Sequence, residues 1–152
     1  MKISHRTQTT NYSCAAVCFS MLTGVSEGAA MQACRTRKTG TSVANAVRAL
    51  NASGFPAHLI PLQDDFFALK ERIQALSYHF PIVLSGTYKN RYFKAGRDRK
   101  GEHAVVAAGG LVYDPSLPHP VDIDAYHMSF NKSLTIKFMV VIDKELDGYG
   151  QN

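Results

Sequence analysis

At 152 residues, with 45% hydrophobic and 19% charged side chains, the chain fits one globular domain able to bury about two thirds of its unfolded surface. No window approaches the ~20 apolar residues of a membrane span, and the polar stretch Met1 to Thr10 lacks a signal-peptide core. A cytosolic product is expected, with signal-independent export left open. Three cysteines, an odd count without a C-x-x-C pair, argue against a disulfide framework, a zinc ribbon or a thioredoxin-like motif.

Ser13 or Asn11 is placed to cap a helix running from Cys14 through Val17, Phe19 and Leu22 to a stop near Gly24. Cys14 then sits in the first turn, where orphan N–H groups and the helix dipole favour a thiolate. Cys18 lies one turn deeper on the same face, the usual setting of a packed apolar thiol, and Cys34 reads the same way. A weaker helical segment covers Glu27 to Cys34. Gly40-Thr41-Ser42 opens a third helix carrying Val43, Ala46, Val47 and Leu50, which Gly54 ends before Phe55-Pro56. Ala57 to Leu62 reads as a short strand. Asp64 or Asp65 caps a helix with Phe66, Phe67, Leu69, Ile73 and Leu76, apolar stripes expected to build core rather than hold a cofactor.

From Phe80 the pattern changes to strands over Pro81 to Ser85, His103 to Ala108, Leu111 to Tyr113 and Leu134 to Ile142. Gly109-Gly110 between two apolar runs is a two-residue hairpin signal. It places His103 at the start of one strand and Asp114 at the end of its antiparallel neighbour, so both belong to one end of the sheet. Helices first and an antiparallel sheet afterwards predict an α+β fold. One domain is expected over residues 1–146, with residues 147–152 a disordered tail.

A cysteine at a helix start needs an imidazole to take its proton, and the imidazole needs a third group to fix its orientation. The chain offers Gln8, Cys14, His103 and Asp114 in that order. Cys14 serves as nucleophile, His103 as base, Asp114 as the group orienting the ring, and the Gln8 amide as an oxyanion donor. Each has a plainer reading: a buried structural thiol, a surface histidine, a turn-forming Asp-Pro dipeptide and a polar loop glutamine. Zinc held by Cys14, Cys18 and a histidine lacks an indicated fourth ligand, so neither metal nor cofactor is expected.

Those four residues are joined by Gly40-Thr41-Ser42-Val43, the run Ala49 to Phe55, Phe80-Pro81-Ile82-Val83-Leu84, His103-Ala104-Val105-Val106 and Tyr113-Asp114-Pro115-Ser116. In this order, over roughly residues 5 to 117, the chain resembles the double-glycine peptidases, papain-like domains that remove leader peptides from bacteriocins, usually at the front of an ABC exporter. The resemblance implies a papain-like fold and a thiol hydrolase acting through an acyl-enzyme on a peptide or protein substrate. Two features depart from it: Ser13-Cys14-Ala15 stands where the family usually has Asp-Cys-Gly, and a long basic insertion runs from Tyr88 to Glu102. No exporter follows, so a stand-alone peptidase is expected. A non-catalytic binding module and an acyl-transferring or amidase enzyme are the alternatives.

The net charge of +5 is concentrated in Arg35, Arg37 and Lys38 and in Lys89, Arg91, Lys94, Arg97, Arg99 and Lys100. A solvated loop is the plainer account of the second cluster. Tyr88, Tyr92 and Phe93 interleave with it as they would for stacking on single-stranded nucleic acid, but no nucleic-acid motif accompanies them. The loop is instead expected to rim the cleft beside His103 and to favour acidic substrates or partners.

Overall fold

The computed structural model describes residues 1–89, 100–129 and 134–147. Most of the basic insertion and the tail after Asp147 therefore lie outside the described residues. Three helices come first: α1 (Cys14–Thr23), α2 (Glu27–Ala33) and α3 (Val43–Ala52). Then β1 (Ala57–Asp65) and α4 (Phe66–Ser77) lead into β2 (Ile82–Lys89), β3 (Lys100–Ala108), β4 (Leu111–Tyr113), β5 (Val121–Asp122), α5 (Ile123–Ser129) and β6 (Thr135–Ile142).

The six strands form one antiparallel sheet in the order β1-β6-β2-β3-β4-β5. Alternation along β3 divides the interior in two. Ala104, Val106 and Ala108 join Val17, Phe19, Met21 and Leu22 of α1 in one core, while Val105 and Ala107 join Phe66, Ile73, Ile123 and Tyr126 in the other. Each large apolar side chain buried there contributes roughly 1.5–3 kcal/mol. α1 is apolar on nearly every side and accordingly buried from Ala16 to Leu22. Among the described residues no single helix is long and apolar enough to cross a membrane; α1 and α2 together have the length and composition, but they are bent by 107° at their junction.

Local signals account for most boundaries. Gly24 ends α1 in the left-handed region at φ 82°, a conformation that glycine adopts without a Cβ clash. Ser26 and Ser42 accept hydrogen bonds from Ala29 N–H and Asn45 N–H and so cap α2 and α3. Gly109 and Gly110, with φ of 61° and 80°, turn β3 into β4. That turn is fastened to the end of α4, where Ser77 accepts from Gly109 N–H through its carbonyl and from Gly110 N–H through its hydroxyl.

Four details differ from the expectations. β3 begins at Lys100, so His103 lies inside the strand rather than at its start. The Asp65 side chain makes no capping bond to α4, and Asp64 Oδ1 accepts from Asp65 N–H instead. β5 and α5 carry too short a pattern to stand out in the sequence, yet they close the far edge of the sheet. Asp147 is tied to the chain start by an ion pair with the Met1 ammonium and by a hydrogen bond from its own N–H to the Met1 carbonyl.

Candidate active site

The N-terminus of α1 is built without the expected cap. Ser13 occupies the N-cap position, but its side chain makes no capping bond. Its hydroxyl lies 2.8 Å from Glu27 Oε1 and 3.3 Å from the Thr10 carbonyl oxygen. A carboxylate is the stronger acceptor for a hydroxyl and draws it away from the helix end. The first intrahelical bond runs from Val17 N–H to the Ser13 carbonyl at 2.8 Å. The N–H groups of Cys14, Ala15 and Ala16 precede it and have no acceptor within the helix, which leaves a positive end around a half-buried thiol.

His103 comes from β3 and Asp114 from the residue after β4, and the Gly-Gly hairpin brings them together. His103 Nε2 lies 2.7 Å from Asp114 Oδ1, and the two are only 8% and 2% exposed. Cys14 is the ring's second partner: after Asp114, a hydrogen bond with the Cys14 side chain is the next influence that raises the His103 pKa, so carboxylate, imidazole and sulfur lie together. With Nε2 taken by Asp114, Nδ1 is the nitrogen left for Cys14.

Asp114 is held by more than the ring. Ser116 N–H and Oγ–H donate to Oδ1 at 2.8 and 2.6 Å, and the Tyr126 hydroxyl, buried in α5, donates to Oδ2 at 2.9 Å. Burial alone would raise its pKa; the His103 hydrogen bond and charge, with the Ser116 bonds, outweigh that and hold it at about 2. Burial likewise opposes a charged His103, but Asp114 and then Cys14 overcome it and lift the ring to about 9. The raised pKa favours the charged ring, with an N–H directed at the carboxylate.

The other two thiols are different. Burial, reinforced by Cys14, Asp114 and Cys34, pushes Cys18 well above the ordinary thiol range. Burial pushes Cys34 up to about 11 despite the opposing Arg48. Both are buried core residues, and neutral thiols are poor nucleophiles.

Gln8 lies between the two segments that carry these groups. Its N–H donates to the Pro115 carbonyl at 2.8 Å, next to Asp114, and its side-chain Nε2 donates to the Thr10 carbonyl at 2.7 Å, on the approach to Cys14. Its Oε1 is buried without a partner among the described residues. The same N-terminal segment runs along the turn after Asp114, where His5 Nε2 lies 2.7 Å from the Leu117 carbonyl oxygen. It is also anchored to α1, because Arg6 donates to the Gly24 and Val25 carbonyls just past the helix end.

Beside the Cys14–His103 pair, Ala15 and Ala104 line a small apolar pocket walled by Phe19, Leu22, Val43 and Leu50. Thr41, Val43 and Ser85 are shared with a second, more polar pocket that reaches Glu102 and Lys137. The two pockets adjoin at these shared residues.

This arrangement is the fold of the papain-like double-glycine peptidases, as two solved structures show. One is a double-glycine-motif protease from an AMS/PCAT transporter in complex with the leader peptide, with a TM-score of 0.61 and 17% identity over 93% of this chain and 91% of that one. The other is the peptidase domain of Streptococcus ComA, a bi-functional ABC transporter involved in a quorum-sensing pathway, with a TM-score of 0.60 and 16% identity over 92% of this chain and 97% of that one. No protein-family model matches the chain, and no curated protein matches it in sequence.

The side-chain contacts of three residues beside these groups, Ser116, Glu27 and Tyr126, were not expected from the sequence. Ser116 carried a signal, since an aspartate two residues before a hydrogen-bonded N–H is an Asx-turn. Glu27 and Tyr126 carried none, because their contacts join segments whose proximity only the fold creates.

Proposed function

We propose that the protein is a papain-like cysteine peptidase that hydrolyses a peptide or isopeptide bond through a thioester, similar to the double-glycine leader peptidases. The observation that carries this reading is the hydrogen-bonded chain from the Cys14 thiol through the His103 ring to Asp114, with His103 raised to about 9. An imidazole beside the thiol is the base that takes its proton, and the carboxylate behind the ring fixes its orientation.

The thiolate attacks the substrate carbonyl carbon, and the C=O π pair moves onto oxygen. That oxyanion is met by the Cys14 backbone N–H and the Gln8 amide; one such donor is worth about 3 kcal/mol in the transition state. His103 gives its Nδ1 proton to the departing amine, the C–N bond breaks, and a thioester remains. His103, now neutral, takes a proton from water as it attacks the thioester, and the Cys14 thiolate leaves. Asp114 keeps the ring aligned throughout. The apolar pocket beside Cys14 and the polar pocket beyond it suit an extended peptide.

The reading is tested with a peptide carrying a double-glycine sequence, incubated with wild type and with Cys14→Ala and followed by mass spectrometry. Cleavage after the second glycine and a transient acyl adduct on Cys14, both lost in the variant, are expected. Equal cleavage by Cys14→Ala would overturn the assignment of the nucleophile.

A further inference from the structure

The loop that separates the two oxyanion donors, Gln8 to Ser13, belongs to no helix or strand. A donor that must meet a developing oxyanion within a few tenths of an ångström needs its loop held from outside. Glu27, the first residue of α2, supplies such a hold. Its Oε1 accepts from Ser13 Oγ at 2.8 Å, from Thr9 Oγ1 at 3.0 Å and from Thr9 N–H at 3.2 Å. Thr9 adjoins Gln8 and Ser13 adjoins Cys14, so one carboxylate oxygen fastens both ends of the loop. Between them, the Thr10 carbonyl accepts from the Gln8 amide.

We infer that Glu27 is a positioning residue that sets the Gln8 amide against the Cys14 backbone N–H, so that the two form one oxyanion hole. The inference rests on the reading of Cys14 as nucleophile and Gln8 as oxyanion donor. Thiol activation does not account for this carboxylate, since its donors are Thr9 and Ser13 and neither the Cys14 nor the His103 side chain is among them. Its geometry answers instead to the loop, because all three donors converge on one oxygen.

The test compares two probes of Cys14. Acetyl-Gly-glycinal forms a hemithioacetal: the sulfur adds to the aldehyde carbon, the C=O π pair moves to oxygen, the oxygen takes the imidazolium proton or stays an oxyanion, and nothing leaves. Iodoacetamide alkylates the same sulfur without generating an oxyanion. Glu27→Ala is expected to weaken the aldehyde adduct by ~10-fold or more while leaving the alkylation rate within about twofold. Glu27→Gln, whose amide oxygen can accept from the same three donors, should restore the adduct. Gln8→Ala combined with Glu27→Ala should be no weaker than Gln8→Ala alone, because both remove the same donor.

If Glu27→Ala does not fold, Ser13→Ala, which cuts one arm of the clamp, is read in the same way with the same direction expected. Aldehyde affinity equal to wild type, an equal loss in both probes, or fully additive losses with Gln8→Ala would each overturn the inference and leave Glu27 as a staple between α1 and α2. No adduct with the wild-type protein would overturn the peptidase reading, and this inference with it.

Discussion

Asp114 and His103 hold each other in the charged state, and the sign of each shift fixes how stability depends on pH. His103 is raised from 6.5 to about 9, so its stabilising contribution is complete below 6.5 and is lost as pH rises toward 9. Asp114 is lowered from 3.8 to about 2, so its contribution is complete above 3.8 and is lost as pH falls toward 2. Thermal melts from pH 6 to 9 should therefore show a declining midpoint in wild type and a flatter profile in Asp114→Asn. Identical slopes in the two proteins would show that the pair is not coupled to folding. Tyr126→Phe removes one hydroxyl from the carboxylate and leaves its buried oxygen Oδ2 short of a donor, at a cost of about 1–3 kcal/mol in denaturant unfolding. A loss below about 0.5 kcal/mol would mean that Tyr126 is in place for packing alone. The sequence brought Cys14, His103 and Asp114 forward as candidates because helix starts and Gly-Gly hairpins are local signals. It hid Tyr126 because α5 reaches Asp114 only once the sheet has folded.

At the scale of elements, β2 and β6 lie against each other without room for a side chain at Gly86. Gly86 faces His103 in the β2–β3 register and Ile136 in the β2–β6 register, next to an irregularity between Ser85 and Gly86. A Cβ placed on Gly86 would lie 2.0 Å from the Thr135 carbonyl oxygen, a backbone atom that cannot turn aside. Gly86→Ala should therefore force β6 away from β2, destabilise the protein by about 1–3 kcal/mol and slow alkylation of Cys14 through a displaced His103. A variant with unchanged melting and unchanged Cys14 reactivity would show that the sheet absorbs the methyl group without loss. Nothing in the sequence singled out Gly86, since close approach of two backbones is a property of the pairing, and the β2–β6 pairing joins residues some fifty positions apart. The serine caps of α2 and α3 and the glycine ends were legible because they act within one turn of the chain. The Ser13 cap failed as an expectation because Glu27, fourteen residues away, competes for the hydroxyl.

For the whole molecule, the α+β order was readable from the switch between helical and strand patterns, and the two cores follow from alternation along β3. The sheet order was not readable, because strand neighbours such as β1 and β6 are set by how helices cover the faces and not by any short motif. The account as a whole stands on Cys14 being activated by His103 rather than merely more exposed than Cys18 and Cys34. Iodoacetamide labelling at pH 6, with each cysteine quantified by mass spectrometry, tests this most directly, because an unassisted thiol is almost fully protonated there. Cys14 is expected to react ~10-fold or more faster than either other cysteine, and to lose most of that reactivity in His103→Ala while the fold persists. A Cys14 that reacts at the same rate with and without His103 would contradict the account.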